Sequence, residues 1–318
     1  MKIAHVSDLH FSTFFKINNL QNIRYLFKYV LDQNPDHIIL TGDLTDNAEP
    51  GDFLILRNLF KKLDILKSDR LSVVIGNHDI FGGVQKADDI FSFHEKCSQL
   101  DFQAKVNRFY DFFFETFENT HRISSDHCFP FVKNLGNVQL TGINSIAHYS
   151  KVKNPFASNG EISLPNLNDL SDLMGKNNSN NTIKIVLIHH HFNKIKIDKE
   201  KKYSTTWQKI EKQTMKLRKK KRIINLLNGK NVDLVLHGHY HENHEYSKKG
   251  IKFLNAGASI INHKPGIMHG NFIEVGGKEI TTEIHKIESN SSIVKNRQSL
   301  IKNTERNENR LVGDLVLN

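Results

Sequence analysis

Five short clusters of Asp, Asn and His punctuate the chain: Asp8-Leu9-His10, Gly42-Asp43-Leu44-Thr45-Asp46, Gly76-Asn77-His78-Asp79, His189-His190-His191 and His237-Gly238-His239-Tyr240-His241. Carboxylate oxygens and imidazole nitrogens together form a donor set for Mn, Fe, Zn or a similar ion. One such ion takes three or four protein ligands. These clusters offer more, which points to two ions in one site.

Each cluster follows an apolar run that reads as a strand: Ile3–Val6, His37–Leu40, Leu71–Ile75, Ile183–Ile188 and Val232–Leu236. Such runs fit strands buried on both faces. Helical spacing of Leu20, Ile23, Leu26, Phe27, Val30 and Leu31 predicts a helix over Asn18–Gln33, ended by Pro35, and a second is predicted over Phe53–Leu66. Strands alternating with helices imply parallel pairing and right-handed crossovers. Loops at the carboxyl ends of such strands gather on one edge, so clusters far apart in sequence meet there. Gly42, Gly76 and Gly238 stand at these turns, where backbone must approach closely.

The remaining chain reads more coarsely. Nine of the 21 Phe fall between Phe81 and Phe117, predicting a helical insertion over about 81–126 with a large apolar face. Its bland reading is a cap packed on the main domain; the sharper one is an apolar wall that receives acyl chains. Strands are predicted at Phe129–Val132 and Val138–Thr141, and Asn159 to Asn181 reads as loop. A basic segment, about 192–222, merges into a helix that stops near Gly229. Antiparallel strands are predicted at His244–Ser247, Ile251–Leu254, Asn271–Val275 and Ile280–His285, followed by a polar tail over 289–318. A domain over 1–288 carries all of this except the tail.

Composition bounds the class. The chain has 318 residues, 38% hydrophobic, and a net charge of +10. Thirteen Lys/Arg against three acids lie between Lys194 and Arg222, so the rest of the chain is neutral. A charge run is usually a solvated face. This one begins at the rim of the His189 cluster, so Lys194, Lys196, Lys199, Lys201 and Lys202, with Tyr203 and Trp207, are candidates for substrate phosphate binding. Arg218 to Arg222 reads as a helix surface that could face nucleic acid or anionic lipid. Two cysteines, Cys97 and Cys128, exclude a Cys-based zinc finger or a disulfide scaffold. No apolar run is long enough to span a bilayer, and the start of the chain has no signal-peptide pattern, so a cytoplasmic location is expected.

Taken as an ordered set, the five motifs resemble the calcineurin-like metallophosphoesterase superfamily over roughly residues 1–260. The resemblance implies an α/β fold: a four-layer αββα sandwich of mixed sheets with helical insertions. It implies that Asp8, His10 and His241 hold one metal, that Asn77, His189 and His239 hold the other, and that Asp43 bridges them. His78 would sit over the substrate phosphate, oriented by Asp46, and Asp79 would order the turn that follows. Leu254-Asn255-Ala256-Gly257-Ala258-Ser259 looks like the family's small-residue turn after the last ligand strand. The implied chemistry is hydrolysis by in-line attack of a metal-bridging hydroxide, with two divalent or trivalent ions (Mn, Fe or Zn). The expected substrate is a phosphorylated small molecule carrying a phosphodiester or diphosphate bond. A lipid-precursor or nucleotide-sugar diphosphatase, a manganese-dependent nuclease, a phosphomonoesterase or protein phosphatase, and a non-catalytic scaffold remain as alternatives. His190 is ambiguous, facing substrate or turned away, and His237 reads as a hydrogen-bonded strand residue.

Overall fold

The alternation of strand and helix is present in the computed structural model, which describes residues 1–15, 19–83, 90–175, 181–193, 215–260 and 267–288. Lys194 to Lys202, Tyr203 and Trp207 of the basic segment, and the whole 289–318 tail, lie outside the described residues. The chain begins β1 (Lys2–Val6), α1 (Asn19–Asp32), β2 (His37–Leu40), α2 (Pro50–Lys62), β3 (Leu71–Val73) and a single turn, α3 (His78–Phe81). The Phe-rich stretch forms α4 (Ile90–Gln99) and α5 (Phe102–Phe113), closed by a 3-10 turn at Phe114–Phe117. Then follow β4 (His121–Arg122), β5 (Phe131–Leu135), β6 (Val138–Ile143), α6 (Leu164–Gly175), β7 (Ile183–Ile188), α7 (Lys220–Gly229), β8 (Leu234–His237), β9 (His244–Lys248), β10 (Ile251–Asn255), β11 (Ile267–Gly276) and β12 (Glu279–Glu288).

Two mixed sheets result. One has the order β12-β11-β1-β2-β3 and the other β4-β5-β6-β7-β8-β10-β9. The expected parallel pairs form, with Ile3 opposite His37 and Ile38 opposite Leu71. Side chains alternate across a strand, and the second sheet uses both faces. Ile185, Leu187, Leu234, Leu236 and Leu254 join a core shared with β1, β2, α1 and α2. Their neighbours Val186, Ile188, Val235 and Phe253 join a second core with Leu170 of α6 and Ile223 and Leu227 of α7. That two-sided burial is the αββα layering. It explains why these strands are apolar throughout rather than alternating.

Several expectations are corrected. The stretch read as loop, Asn159 to Asn181, contains α6. Leu167, Leu170, Leu173 and Met174 recur at helical spacing on its buried face, and Ser163 accepts from the Asn166 N–H at 3.2 Å as a cap. The second helix begins at Pro50, not Phe53, because proline suits the first helical turn. It stops at Lys62, and Ile65 folds back under it, donating its N–H to the Phe60 carbonyl at 3.0 Å. The insertion also contributes the short strand β4, paired with β5. The late strands are not purely antiparallel: β10 runs parallel to β8 while pairing antiparallel with β9, and β11 joins β1 in the other sheet.

The Phe-rich insertion spends its apolar face on packing. Phe53 of α2 meets the rings of Phe109, Phe112 and Phe113 at 6.0, 5.3 and 6.2 Å, and Phe117 meets Phe131 of β5 at 5.3 Å. Among the described residues of the insertion, this packing leaves Phe114 and Ile123 as the exposed large apolar side chains, so the acyl-chain reading of that face loses most of its surface. Lys133 of β5, buried, pins the insertion to the sheet. Its ammonium donates to the Ser68, Leu71 and Thr116 carbonyls and to Ser72 Oγ at 2.7–3.0 Å. Among the described residues no helix is long and apolar enough to cross a membrane.

Candidate metal centre

The motif turns leave their strands abruptly. Asp8, His10, Asp43 and His239 all take positive φ, 53°, 44°, 51° and 69°, a region that costs an L-residue about 1–2 kcal/mol. Among the described residues eight other non-Gly positions share this conformation, but in the motif turns it bends four acidic and histidine side chains toward one another. Two glycines make the approach feasible. A Cβ on Gly76 would lie 2.1 Å from Asp43 Oδ1, and one on Gly238 would lie 2.3 Å from Asp8 Oδ2.

Asp43 occupies the middle. Its Oδ2 lies 3.3 Å from His189 Nε2 and 3.8 Å from His10 Nε2. Its Oδ1 accepts the His78 N–H at 2.8 Å. On one side, Asp8 Oδ1 lies 3.9 Å from His10 Nε2 and 3.6 Å from His241 Nε2, and the two Nε2 atoms are 3.2 Å apart. On the other, His189 Nε2 lies 3.1 Å from Asn77 Oδ1 and 3.0 Å from His239 Nδ1. Of the seven residues that the resemblance implies as metal ligands, the other six thus stand in two groups of three around Asp43.

The donor chemistry fits cations. His189 Nδ1 donates to the Thr41 carbonyl at 2.8 Å, so the neutral ring turns a lone pair on Nε2 toward the oxygens of Asp43 and Asn77. His239 Nε2 is buried without a hydrogen-bond partner. Lone pairs brought this close repel unless positive charge lies among them. With metal–nitrogen bonds of about 2.0–2.1 Å, neighbouring ligand atoms stand roughly 3.0–3.4 Å apart, the spacing of the closest pairs here. Without a cation, a proton on His189 takes that place. Burial opposes charge on His189, but the Asp43 carboxylate outweighs it and raises its pKa to about 9. Burial, then the neighbouring imidazoles, hold His239 neutral.

His78 stands at the mouth, its side chain 25% exposed, its ring 4.5 Å from that of His10. Nδ1 donates to the Asp46 backbone carbonyl at 3.0 Å. Burial works against its charge, yet Asp43 and then Asp46 raise its pKa to about 9. The Asp46 carboxylate lies nearer His10 Nδ1, at 3.2 Å, than His78 Nδ1, at 3.5 Å, so it faces both rings. Asp79 accepts from the Thr45 N–H and Oγ1 at 2.9 and 3.2 Å and from the Gly76 N–H at 2.9 Å, welding the second motif turn to the third. Burial, then the Asp43 charge, push its pKa up to about 7. His190 turns away, its Nδ1 2.8 Å from Ser145 Oγ, and His237 Nε2 accepts from the Tyr246 hydroxyl at 2.9 Å.

Some site residues carried little or no sequence signal of their role. The Thr41 carbonyl is main chain. Ser259 Oγ accepts the Ser7 N–H at 2.9 Å beside the first motif, and Asn255 braces the last one. Both belong to the small-residue turn noted in the sequence.

A family model for calcineurin-like phosphoesterases matches residues 1–243. Among solved structures, a dimetal phosphatase from Danio rerio aligns with a TM-score of 0.57 at 11% identity, covering 91% of this chain and 98% of its own. Purple acid phosphatase PPD1 from yellow lupin aligns with a TM-score of 0.54 at 10% identity, covering 90% of this chain and 51% of its own. No curated protein matches the sequence.

Proposed function

The chain belongs to the calcineurin-like phosphoesterase family, a hydrolytic enzyme by that membership, and from this premise we propose that it cleaves a phosphodiester or diphosphate bond in a small molecule at a two-metal centre. The observation that carries the reading is the convergence of six donor side chains, three on each side of Asp43. Asp8, His10 and His241 would hold one ion, Asn77, His189 and His239 the other, and Asp43 would serve both. Mn, Fe and Zn all suit this donor set. The ions, when bound, supply Lewis-acid charge for phosphoryl oxygens and lower the pKa of water.

The chain's own residues do the rest. Asp46 orients His10 through Nδ1 and holds His78 through its main-chain carbonyl. With Nδ1 so engaged, protonated His78 presents Nε2–H to the phosphoryl oxygens or the leaving group. A cleft of about 840 Å³, walled by His191, Phe192, Tyr240 and Tyr246 and edged by Lys220, Lys221, Lys248 and Glu242, lies beside the His239–His241 turn, but none of the seven ligand residues nor His78 lines it. The unpaired buried thiols Cys97 and Cys128 support a reducing, cytoplasmic location.

The test is metal analysis of the purified protein together with a substrate panel, in Mn(II) and in chelator: bis-p-nitrophenyl phosphate, cyclic nucleotides, nucleotide-sugar diphosphates, phosphomonoesters and DNA. Metal-dependent turnover of a diester or diphosphate is expected, with kcat falling at least roughly 100-fold in Asp43→Asn and His239→Ala. Full activity in chelator, or in either variant, overturns the assignment. Salt-sensitive DNA cleavage would instead favour the nuclease reading and a nucleic-acid role for the basic segment.

A further inference from the structure

The loop that carries His239 and His241 has an unusual path. It joins β8 to β9, yet those strands are not neighbours, because β10 lies between them. The loop must therefore cross the end of β10. The last residue of β10 is Asn255, opposite His237 on β8 and His244 on β9. Asn255 is 1% exposed, and its amide points up into the crossing. Nδ2 donates to the Tyr240 carbonyl at 2.5 Å and to the Glu242 carbonyl at 2.8 Å, the two carbonyls that flank His241.

Within the loop the bonds are short-range: Tyr240 N–H donates to the Gly238 carbonyl, Glu242 N–H to the Tyr240 carbonyl, and the Tyr240 hydroxyl to the Glu242 carboxylate. The two histidines differ in what anchors them. His239 is 2% exposed, and its own N–H donates to the Asp8 carboxylate at 3.0 Å. His241 has a side chain 49% exposed, and the Asn255 bonds bracket its backbone. The brace is itself held. Asn271 Nδ2 donates to the Asn255 carbonyl at 3.2 Å, and Asn271 Oδ1 accepts from Asn243 Nδ2 at 3.1 Å. Only an amide at position 255 offers two protons to two carbonyls at this reach. The carboxylate of Asp offers none at neutral pH.

We propose that Asn255 is a positioning residue that sets where His241 meets its metal ion. The proposal rests on the two-metal reading above. It assigns Asn255 to one of the two ions, the one held by Asp8, His10 and His241. Asn77 and His189 lie on other loops, and the His239 N–H has its own anchor on Asp8.

Metal-free Asn255→Asp, Asn255→Ala and His241→Ala are titrated with Mn(II) by calorimetry beside the wild type, and the melting of each metal-free protein is recorded. The wild type is expected to take two ions. Both Asn255 variants are expected to bind one ion within about twofold of wild type and the second roughly 10- to 100-fold more weakly. His241→Ala is expected to weaken the second ion in the same way. Wild-type affinity for both ions in the Asn255 variants overturns the proposal. So does equal weakening of the two, or failure of both variants to fold without metal, since either makes Asn255 a structural residue. A wild type that binds no metal overturns the two-metal reading instead.

Discussion

At the residue scale, the centre works by fixing one nitrogen of a ring so that the other is aimed. Asp46 does this for His10, and the Thr41 and Asp46 carbonyls do it for His189 and His78. Two substitutions separate the tasks. Asp46→Ala should weaken metal binding roughly 10- to 100-fold, because His10 loses its partner. His78→Gln should leave metal content unchanged and lower kcat by roughly 10²- to 10⁴-fold. Elemental analysis and steady-state kinetics on the same preparations decide this; metal loss in His78→Gln would make His78 part of the metal shell. The thiols make a separate case. Burial pushes Cys97 and Cys128 up to about 12, so iodoacetamide at pH 8 should label neither until the protein unfolds, as read by intact mass. The donor side chains were legible because five Asp, Asn and His clusters recur at strand ends in one order, although any one of them alone would read as an ordinary turn. Asn255 was visible only as part of a turn, since asparagine in a turn is ordinary. Its function depends on a strand order that no local pattern encodes.

At the element scale, the Phe-rich insertion is a structural graft. Phe113 is fully buried against Phe53 and Phe60 of α2 and Phe109 of its own helix. Phe113→Ala should cost about 3–5 kcal/mol while leaving kcat per folded molecule near wild type. The neighbouring Phe114, 42% exposed with Arg57 5.3 Å above its ring, should cost about 1 kcal/mol or less as Phe114→Ala. Urea titrations of both variants test this. Equal costs would mean that the packing described for α5 is wrong. The helical character of this insertion was readable from phenylalanine density, but the partner of its apolar face was not, because density says nothing about which surface lies opposite. The opposite error occurred at α6. Its Ser163 cap, Pro165 and buried leucines were present in the sequence, but the many Asn, Asp and Ser residues around them read as loop.

At the scale of the whole molecule, the two sheets close over a cluster of carboxylates and imidazoles whose charge must balance. Without metal, protons do this. His78 and His189 are each raised from about 6.5 to about 9 by the carboxylates beside them, against the effect of burial. A histidine with a raised folded pKa contributes stability fully present below its unfolded pKa of about 6.5 and lost as pH rises through about 9. Lys133 acts with the opposite sign. Burial lowers it to about 7, so its share of stability rises between about 7 and 10.4, and the two trends overlap in any single melting curve. Metal resolves them. A cation seated among the same lone pairs displaces the His189 proton, so binding tightens as pH rises, whereas Lys133 lies by the Phe-rich insertion and titrates alike with and without metal. The Tm of protein saturated with Mn(II), minus that of metal-free protein, should therefore grow from pH 6.5 to 8.5. Stabilisation by a ligand at about 100 times its Kd is roughly 2.7 kcal/mol, on the order of 4–5 °C for a domain of this size, so the trend is measurable by scanning fluorimetry under nitrogen. A difference that stays flat or shrinks across this range would mean that the protons and the metal do not share one site.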